Sequence, residues 1–413
     1  MSSVLITNIH CLAGIQTTLT LLRGTALADL QTINNAFLLI ENGLIKDYGS
    51  MNDLQSAIRN PQSEINATGA TILPCWCDSH THLVFAASRE EEFVDKIKGK
   101  TYAEIAAKGG GILNSARKIN ATTEDELYEK TLARLNEMVK LGTGAIEIKS
   151  GYGLTVEGEL KMLRVIKRLK ETVNIPIKAT FLGAHAYPEQ YKEDHEAYIN
   201  LIINEMLPSI ARENLADYID VFCEKGFFSV EEMIRICEAG AKYGLKPKLH
   251  ANQLNSIGAI EAGIKLGAVS LDHLETMTEE DVNLIAQSST IGTLLPTAAF
   301  FLRMQYQPAR QLIDAGCAVS LASDFNPGSS PGGNMNFVVS LSCIQMKMLP
   351  EEAINAATIN AAYAMEVQDE VGSITVGKKA NLIFTKPISS LAYLPYAFGS
   401  NMIDKVMING KII

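Results

Sequence analysis

No lysine- and arginine-rich stripe runs through this 413-residue chain, whose formal net charge is −10. That argues against nucleic acid and anionic membrane surfaces as partners, because both bind through clustered positive charge. No apolar run approaches the roughly 20 residues that span a bilayer. The first fourteen residues are mildly apolar but carry neither a basic start nor a small-residue cleavage site, so they read as a strand and not as a secretion signal. The seven cysteines are odd in number and scattered through apolar segments, as at Cys223 and Cys317. This is the pattern of reduced, buried thiols in a cytoplasmic protein, not of a disulfide framework. Cys75 and Cys77 share one face of a strand, but no further cysteine completes a zinc set, and two small residues filling a strand is the simpler reading. Gly109-Gly-Gly111 lacks the Gly-Lys-Ser/Thr that follows in a phosphate loop; it reads as a mobile segment over a site.

What the chain does have is apolar material: 47% hydrophobic against 20% charged residues, enough for one large core and a smaller one. The two ends resemble each other. Alternating strands flank Asn42-Gly43 near the start and Asn409-Gly410 near the finish, and Asn-Gly accepts the positive φ angles of a tight hairpin turn. Segment 372–384 is a further turn-rich strand region. A small β-sandwich built from residues 1–70 plus 370–413 follows. Between the ends, short strands alternate with amphipathic helices, the sign of a parallel sheet with crossover helices. Strands are expected at 71–77, 145–149, 177–182, 218–223, 246–249, 268–271, 290–295 and 318–322, almost continuously apolar as strands covered on both faces must be. Helices are expected at 123–141 and 156–172. Eight such units closing on themselves make a (β/α)₈ TIM-type barrel over residues 71–369, a fold that uses about 250 residues. An open doubly wound sheet would want a glycine-rich phosphate turn after its first strand, and Asp78-Ser-His-Thr-His82 is not one.

Chemistry concentrates at the C-terminal ends of those strands, the face where barrel active sites lie. The first ends in His80-Thr-His82, the second leads to Tyr152 and the third to His185. The fourth ends at Glu224, the fifth at His250, the sixth at His273 and the eighth at Asp324. Five of the seven histidines occupy such positions; His10 and His195 do not and read as structural or solvated. Any one histidine alone is better explained as a packed residue, but five at strand ends are not. His80 and His82, two apart, face one side. With His250 and Asp324 they supply three imidazoles and a carboxylate, a set that suits one zinc or iron ion and leaves room for water. Such an ion lowers the pKa of water bound to it to about 7. Lys149 reads as a paired charge, and Glu224 as a structural residue, although its place on the fourth strand leaves a second metal open.

The run Pro74-Cys-Trp-Cys-Asp-Ser-His-Thr-His82, followed by His250, His273, Ala322-Ser-Asp324 and Gly372-Ser-Ile-Thr-Val-Gly-Lys378, resembles the amidohydrolase superfamily over essentially the whole chain. Within it, five segments resemble the branch that opens an imidazolone ring in histidine degradation. They begin at Thr81, Gly109, Glu147, Phe181 and Ser323, and include Glu147-Ile-Lys-Ser-Gly-Tyr-Gly153 and Ser323-Asp-Phe-Asn-Pro-Gly-Ser-Ser330. The resemblance implies hydrolysis of 4-imidazolone-5-propanoate to N-formimidoyl-L-glutamate, with His80, His82, His250 and Asp324 as metal ligands. It further implies substrate contacts from Arg89, Tyr152, His185, Gln253 and Ser329, and product contacts from Asn326 and Gly328. Superfamily analogy suggests a homodimer.

Chemistry supports these roles separately. Asp324 is placed to take a proton from water and return it to the leaving nitrogen, while His185 and His273 are expected as donors to the developing oxyanion. A propanoate wants a guanidinium, and Arg89 is the nearest arginine after the His80-Thr-His82 strand; without the resemblance it would read as solvated beside Glu90, Glu91 and Glu92. The Asn326–Ser329 segment reads either as a mere turn or, equally, as a set of backbone N–H groups for a carboxylate. Two other functions compete. A ring deaminase of the same superfamily would want an acidic residue three after the fifth-strand histidine, where this chain has Gln253. A dead scaffold working by assembly would have lost ligands, and all four are present.

Overall fold

Asn42 and Gly43 both take positive φ (52° and 82°), as do Asn409 and Gly410 (48° and 74°), so both expected hairpin turns form. The computed structural model describes residues 3–54, 61–100, 104 and 110–413. Gly109, the first glycine of the 109–111 segment, lies outside the described residues. Strand β1 (Ser3–Ile15) pairs antiparallel with β2 (Gln31–Glu41) and parallel with β4 (Ser63–Asn66) and β5 (Thr71–Pro74). β3 (Leu44–Ser50) completes the first hairpin, and β14 (Leu382–Thr385), β15 (Ile403–Ile408) and β16 (Lys411–Ile412) extend the sheet from β5. The two layers of this terminal region thus belong to one continuous sheet. It curls until its ends meet: Ala380 N–H donates to Gly43 O at 2.9 Å and Gly410 N–H to Ala380 O at 3.1 Å. A Cβ on Gly43 would stand 2.8 Å from Asn409 O, so only glycine fits where the turns touch. Ile6, Ile9, Leu12, Leu38, Ile40, Phe384 and Met407 fill the space the sheet encloses.

The strand expected at 71–77 is two strands in two sheets, a correction to the barrel's expected start. Cys75 N–H bonds to Asn381 O (2.9 Å) in the terminal region, and Trp76 N–H to Gly142 O (2.9 Å) in the barrel. An apolar run does not reveal which sheet each half pairs with. The barrel begins with β6 (Trp76–Asp78) and continues through β7 (Thr143–Lys149), β8 (Ile177–Ala184), β9 (Tyr218–Cys223), β10 (Lys246–Ala251), β11 (Ser270–His273), β12 (Ile291–Leu294) and β13 (Val319–Leu321), all parallel neighbours. The eighth strand meets the first through Asp324 N–H to His80 O (3.0 Å) and His82 N–H to Phe325 O (2.9 Å). Closure therefore runs through the residues expected to carry the chemistry.

Helix α1 (Glu90–Ile97) follows the first strand, and α2 (Ile112–Ala121), α3 (Glu124–Lys140) and α4 (Val156–Thr172) follow in turn. Thr123 and Thr155 cap α3 and α4 by accepting from Glu126 N–H and Gly158 N–H. Each helix turns its leucines and methionines inward, Leu127, Leu135 and Met138 from one, Leu160, Leu163 and Leu169 from the other. At about 1.5–3 kcal/mol per buried side chain, that stripe holds the helices to the barrel far more strongly than their caps do. All seven cysteines are free thiols. Among the described residues no helix is long and apolar enough to cross a membrane.

Candidate active site

His250 is the penultimate residue of β10 and His273 the last of β11; His80 and His82 lie just past β6, and Asp324 just past β13. The parallel register aims all five at one mouth of the barrel. Two overlapping groups form there, His80 with His82 and His250, and His80 with His273 and Asp324, each with its ligating atoms within 4.8 Å of one another. Asp324 Oδ1 stands 3.6 Å from His80 Nε2 and 3.5 Å from His82 Nε2. Asp324 and His273 reach these positions with φ of 51° and 88°, in a left-handed region that non-glycine residues enter at a cost. Backbone strain falls on two residues of the cluster.

Carboxylates behind the histidines set which nitrogen carries hydrogen. His80 Nδ1 donates to Asp272 Oδ2 (2.6 Å), and His250 Nδ1 to Asp220 Oδ2 (2.8 Å). Their Nε2 lone pairs are left for the cluster. Among the described residues, His80 Nε2 and His82 Nδ1 are buried with no hydrogen-bond partner. An orphaned imidazole nitrogen is costly unless something electrophilic satisfies it. Burial, reinforced by neighbouring cations and imidazoles, holds His80, His82 and His250 well below the usual histidine pKa, so they are neutral as metal ligands must be. Below them Lys149 Nζ pairs with Glu147 Oε1 (2.7 Å) and Asp220 Oδ2 (2.9 Å) and stands 3.7 Å from Asp272 Oδ2, while Lys248 Nζ lies 3.1 Å from Glu147 Oε2. Two ammonium groups against three carboxylates leave one negative charge. Burial pushes Asp324 up to about 7, with His273 pulling the other way; a cation at the cluster would favour its charged form. On donor type, tautomer and charge, these residues fit a metal cofactor. Lys149 is a paired charge, as expected. Glu224 accepts from Leu254 N–H (2.8 Å) and Lys225 N–H (3.1 Å), a role in holding the loop after β10.

Above the cluster opens a cavity of about 670 Å³. Its lining includes His82, His250, His273 and Asp324, and every residue expected to touch substrate: Arg89, Tyr152, His185, Gln253, Asn326, Gly328 and Ser329. The Tyr152 ring centre is 5.8 Å from that of His82 and 5.3 Å from that of His185. Arg89 is not solvated: its Nε and Nη2 donate to Glu92 Oε2 at 2.9 and 2.6 Å, and Glu92 Oε1 accepts from Gly111 N–H at 3.0 Å. His10 and His195 lie apart, the latter stacked on Tyr187 with ring centres 3.6 Å apart.

One expectation needs correction. His185 Nδ1 lies 3.0 Å from Gly151 O, a carbonyl that only accepts, so Nδ1 carries the hydrogen. Burial lowers this ring to about 4, so it is neutral at pH 7 and its Nε2 accepts instead of donating to an oxyanion. Of the two readings of the Asn326–Ser329 segment the mere turn holds, since the Gly328 and Ser329 N–H groups both bond to Asn326 Oδ1 (2.8 and 2.7 Å). Asn326 closes its own turn, as asparagine side chains commonly do. Sequence reasoning missed Asp220, Asp272 and Glu275, the carboxylates behind the histidines. It also missed the apolar rim of Phe93, Phe222, Phe227 and Phe301.

Known proteins match this architecture. Residues 71–413 match the model described as amidohydrolase family. The chain is 59% identical over 410 residues to a protein of Flavobacterium johnsoniae named imidazolonepropionase, covering 99% of each chain. It is 54% identical to one of the same name from Christiangramia forsetii (100% of each), and 44% identical to one from Clostridium tetani (94% of this chain, 93% of the other). Among solved structures it resembles an adenosine deaminase from Xanthomonas campestris with bound zinc (TM-score 0.71, 16% identity, 100% of this chain and 92% of the other). It also resembles guanine deaminase of E. coli (TM-score 0.74, 13% identity, 100% and 99%). Those two likenesses concern the fold alone. The full-length relatives, together with the matched model, show that this chain belongs to the amidohydrolase family, in its imidazolonepropionase branch.

Proposed function

We propose that this chain hydrolyses 4-imidazolone-5-propanoate in the cytoplasm, breaking the ring's carbonyl carbon–nitrogen bond to give N-formimidoyl-L-glutamate. One observation carries the reading: a single cavity has the histidine–Asp324 cluster at its floor and Arg89 on its wall. A small ring with a carboxylate arm is the shape that uses both. One zinc or iron ion held by His80, His82, His250 and Asp324 would, when bound, make water a nucleophile near neutral pH and polarise the carbonyl.

Asp324 accepts the proton that water loses as its oxygen bonds the carbonyl carbon, and returns it to the ring nitrogen as the carbon–nitrogen bond breaks. His273 Nδ1 is held by Glu275 Oε1 at 3.3 Å. Burial opposes a charge on this ring, but Glu275 beside it raises its pKa overall. Its other nitrogen, in the cluster, then donates to the carbonyl oxygen as negative charge grows there. His185 Nε2, an acceptor, orients a ring N–H. The aromatic rim excludes water from the ring's edge. Arg89 holds the propanoate.

The test is product identification. Purified protein should convert 4-imidazolone-5-propanoate to N-formimidoyl-L-glutamate with no ammonia released. Ammonia released from a purine- or pyrimidine-like ring that stays closed, with no opening of the imidazolone, would overturn the proposal in favour of a deaminase.

A further inference from the structure

Helix α1 brings two cations to the cavity wall, and among the described residues only one of them is paired with a carboxylate. Arg89, at its start, gives two hydrogen bonds to Glu92 three residues later, so that pair is neutral overall. Lys96 lies one turn beyond Glu92, lines the same cavity and is half-buried. Its Nζ makes one long hydrogen bond, 3.3 Å to Gly328 O, and stands 5.8 Å from the centre of the Phe301 ring. Among the described residues no carboxylate lies within 4.0 Å of it. Arg89 meets the same residue from its other edge, since a Cβ added at Gly328 would overlap the Nη1 end of the guanidinium. Both cations therefore converge on Gly328, and the unmatched charge there belongs to Lys96.

A carboxylate at the free Nη1 edge of Arg89 is attracted by the guanidinium but repelled by Glu92 on its other edge, so the pair alone holds it less tightly than an unpaired guanidinium would. An unmatched ammonium in a partly desolvated wall attracts it strongly. We infer that Lys96 is a specificity-determining residue: its ammonium, beside the Nη1 edge of Arg89, takes the substrate's carboxylate and discriminates against rings whose arm carries no negative charge. This rests on the ring-opening reading above. Gly328 supplies the close approach that lets both cations reach one anion, which explains a cavity-lining glycine whose backbone is not in the left-handed region.

The experiment compares wild type, Lys96→Met and Lys96→Arg on 4-imidazolone-5-propanoate and on the analogue whose carboxylate is a carboxamide, after checking equal metal content. Lys96→Met should raise KM for the carboxylate substrate about tenfold or more, the usual worth of a hydrogen bond to a charged group, with kcat little changed. Lys96→Arg should restore most of the loss, and Lys96→Met should leave KM for the carboxamide unaltered. An unchanged KM for the carboxylate, or an equal rise on both substrates, would overturn the inference while the ring-opening reading stands. A wild type that opens neither ring would remove that reading, and the inference with it.

Discussion

Replacing Asp220 by Asn tests whether the buried carboxylates prepare the histidines to hold a metal. Asp220 Oδ1 accepts from His250 N–H at 3.0 Å, while Oδ2 accepts from His250 Nδ1 at 2.8 Å and faces Lys149 Nζ at 2.9 Å. Asparagine keeps the shape but turns one oxygen into a donor. In either orientation of the amide, a hydrogen now meets a hydrogen, at the His250 backbone or at its ring. The ring then turns, or changes which nitrogen is protonated. Loss of such a partner behind a ligand weakens metal binding by about 10–100-fold, or about 1.4–2.7 kcal/mol. Lys149 keeps Glu147 at 2.7 Å, so folding should weaken by no more than about 1–3 kcal/mol. Zinc affinity is read by competition with a chromophoric chelator, and folding by thermal melts of both metal-free proteins. If Asp220→Asn binds zinc within twofold of wild type while His250→Ala loses it, Asp220 does not prepare the ligand.

Further outcomes are expected at other positions. Asp324→Asn should lower turnover by about 10²–10⁴-fold through loss of the proton carrier, with an unchanged circular dichroism spectrum; retained turnover would refute that role. Gly328→Ala should displace the Arg89 guanidinium and raise KM; an unaltered KM would remove Arg89 from the substrate wall. Lys149→Met leaves Glu147, Asp220 and Asp272 with Lys248 as their one ammonium, and should cost about 3–5 kcal/mol in urea unfolding. A variant as stable as wild type would show that the buried charges do not depend on it.

The helix at Val156–Thr172 and the strand at Tyr218–Cys223 were legible to the residue, because each is a clean pattern bounded by a change of composition. Thr71–Pro74 was not, since pairing with β1 and β14 is decided by segments far away in the chain. The cluster was legible because ligating side chains sit at strand ends, where the barrel's geometry gathers them. Its supporting carboxylates could have been found: Asp220 stands inside an otherwise apolar, fully buried strand, and a buried carboxylate requires a partner. The pairing of Arg89 with Glu92 follows from their spacing of three once a helix starts between them, yet that acidic run also reads as a solvated face. No local pattern encodes the tautomer of His185, which is set by a carbonyl 34 residues away.

The most direct test removes and restores the metal while following ring opening. Stripping with a strong chelator should abolish conversion of 4-imidazolone-5-propanoate in proportion to the metal lost. Adding back one equivalent of zinc or iron should restore it in wild type but not in His80→Ala or His250→Ala. Full turnover by metal-free protein, or by either variant, would contradict the account.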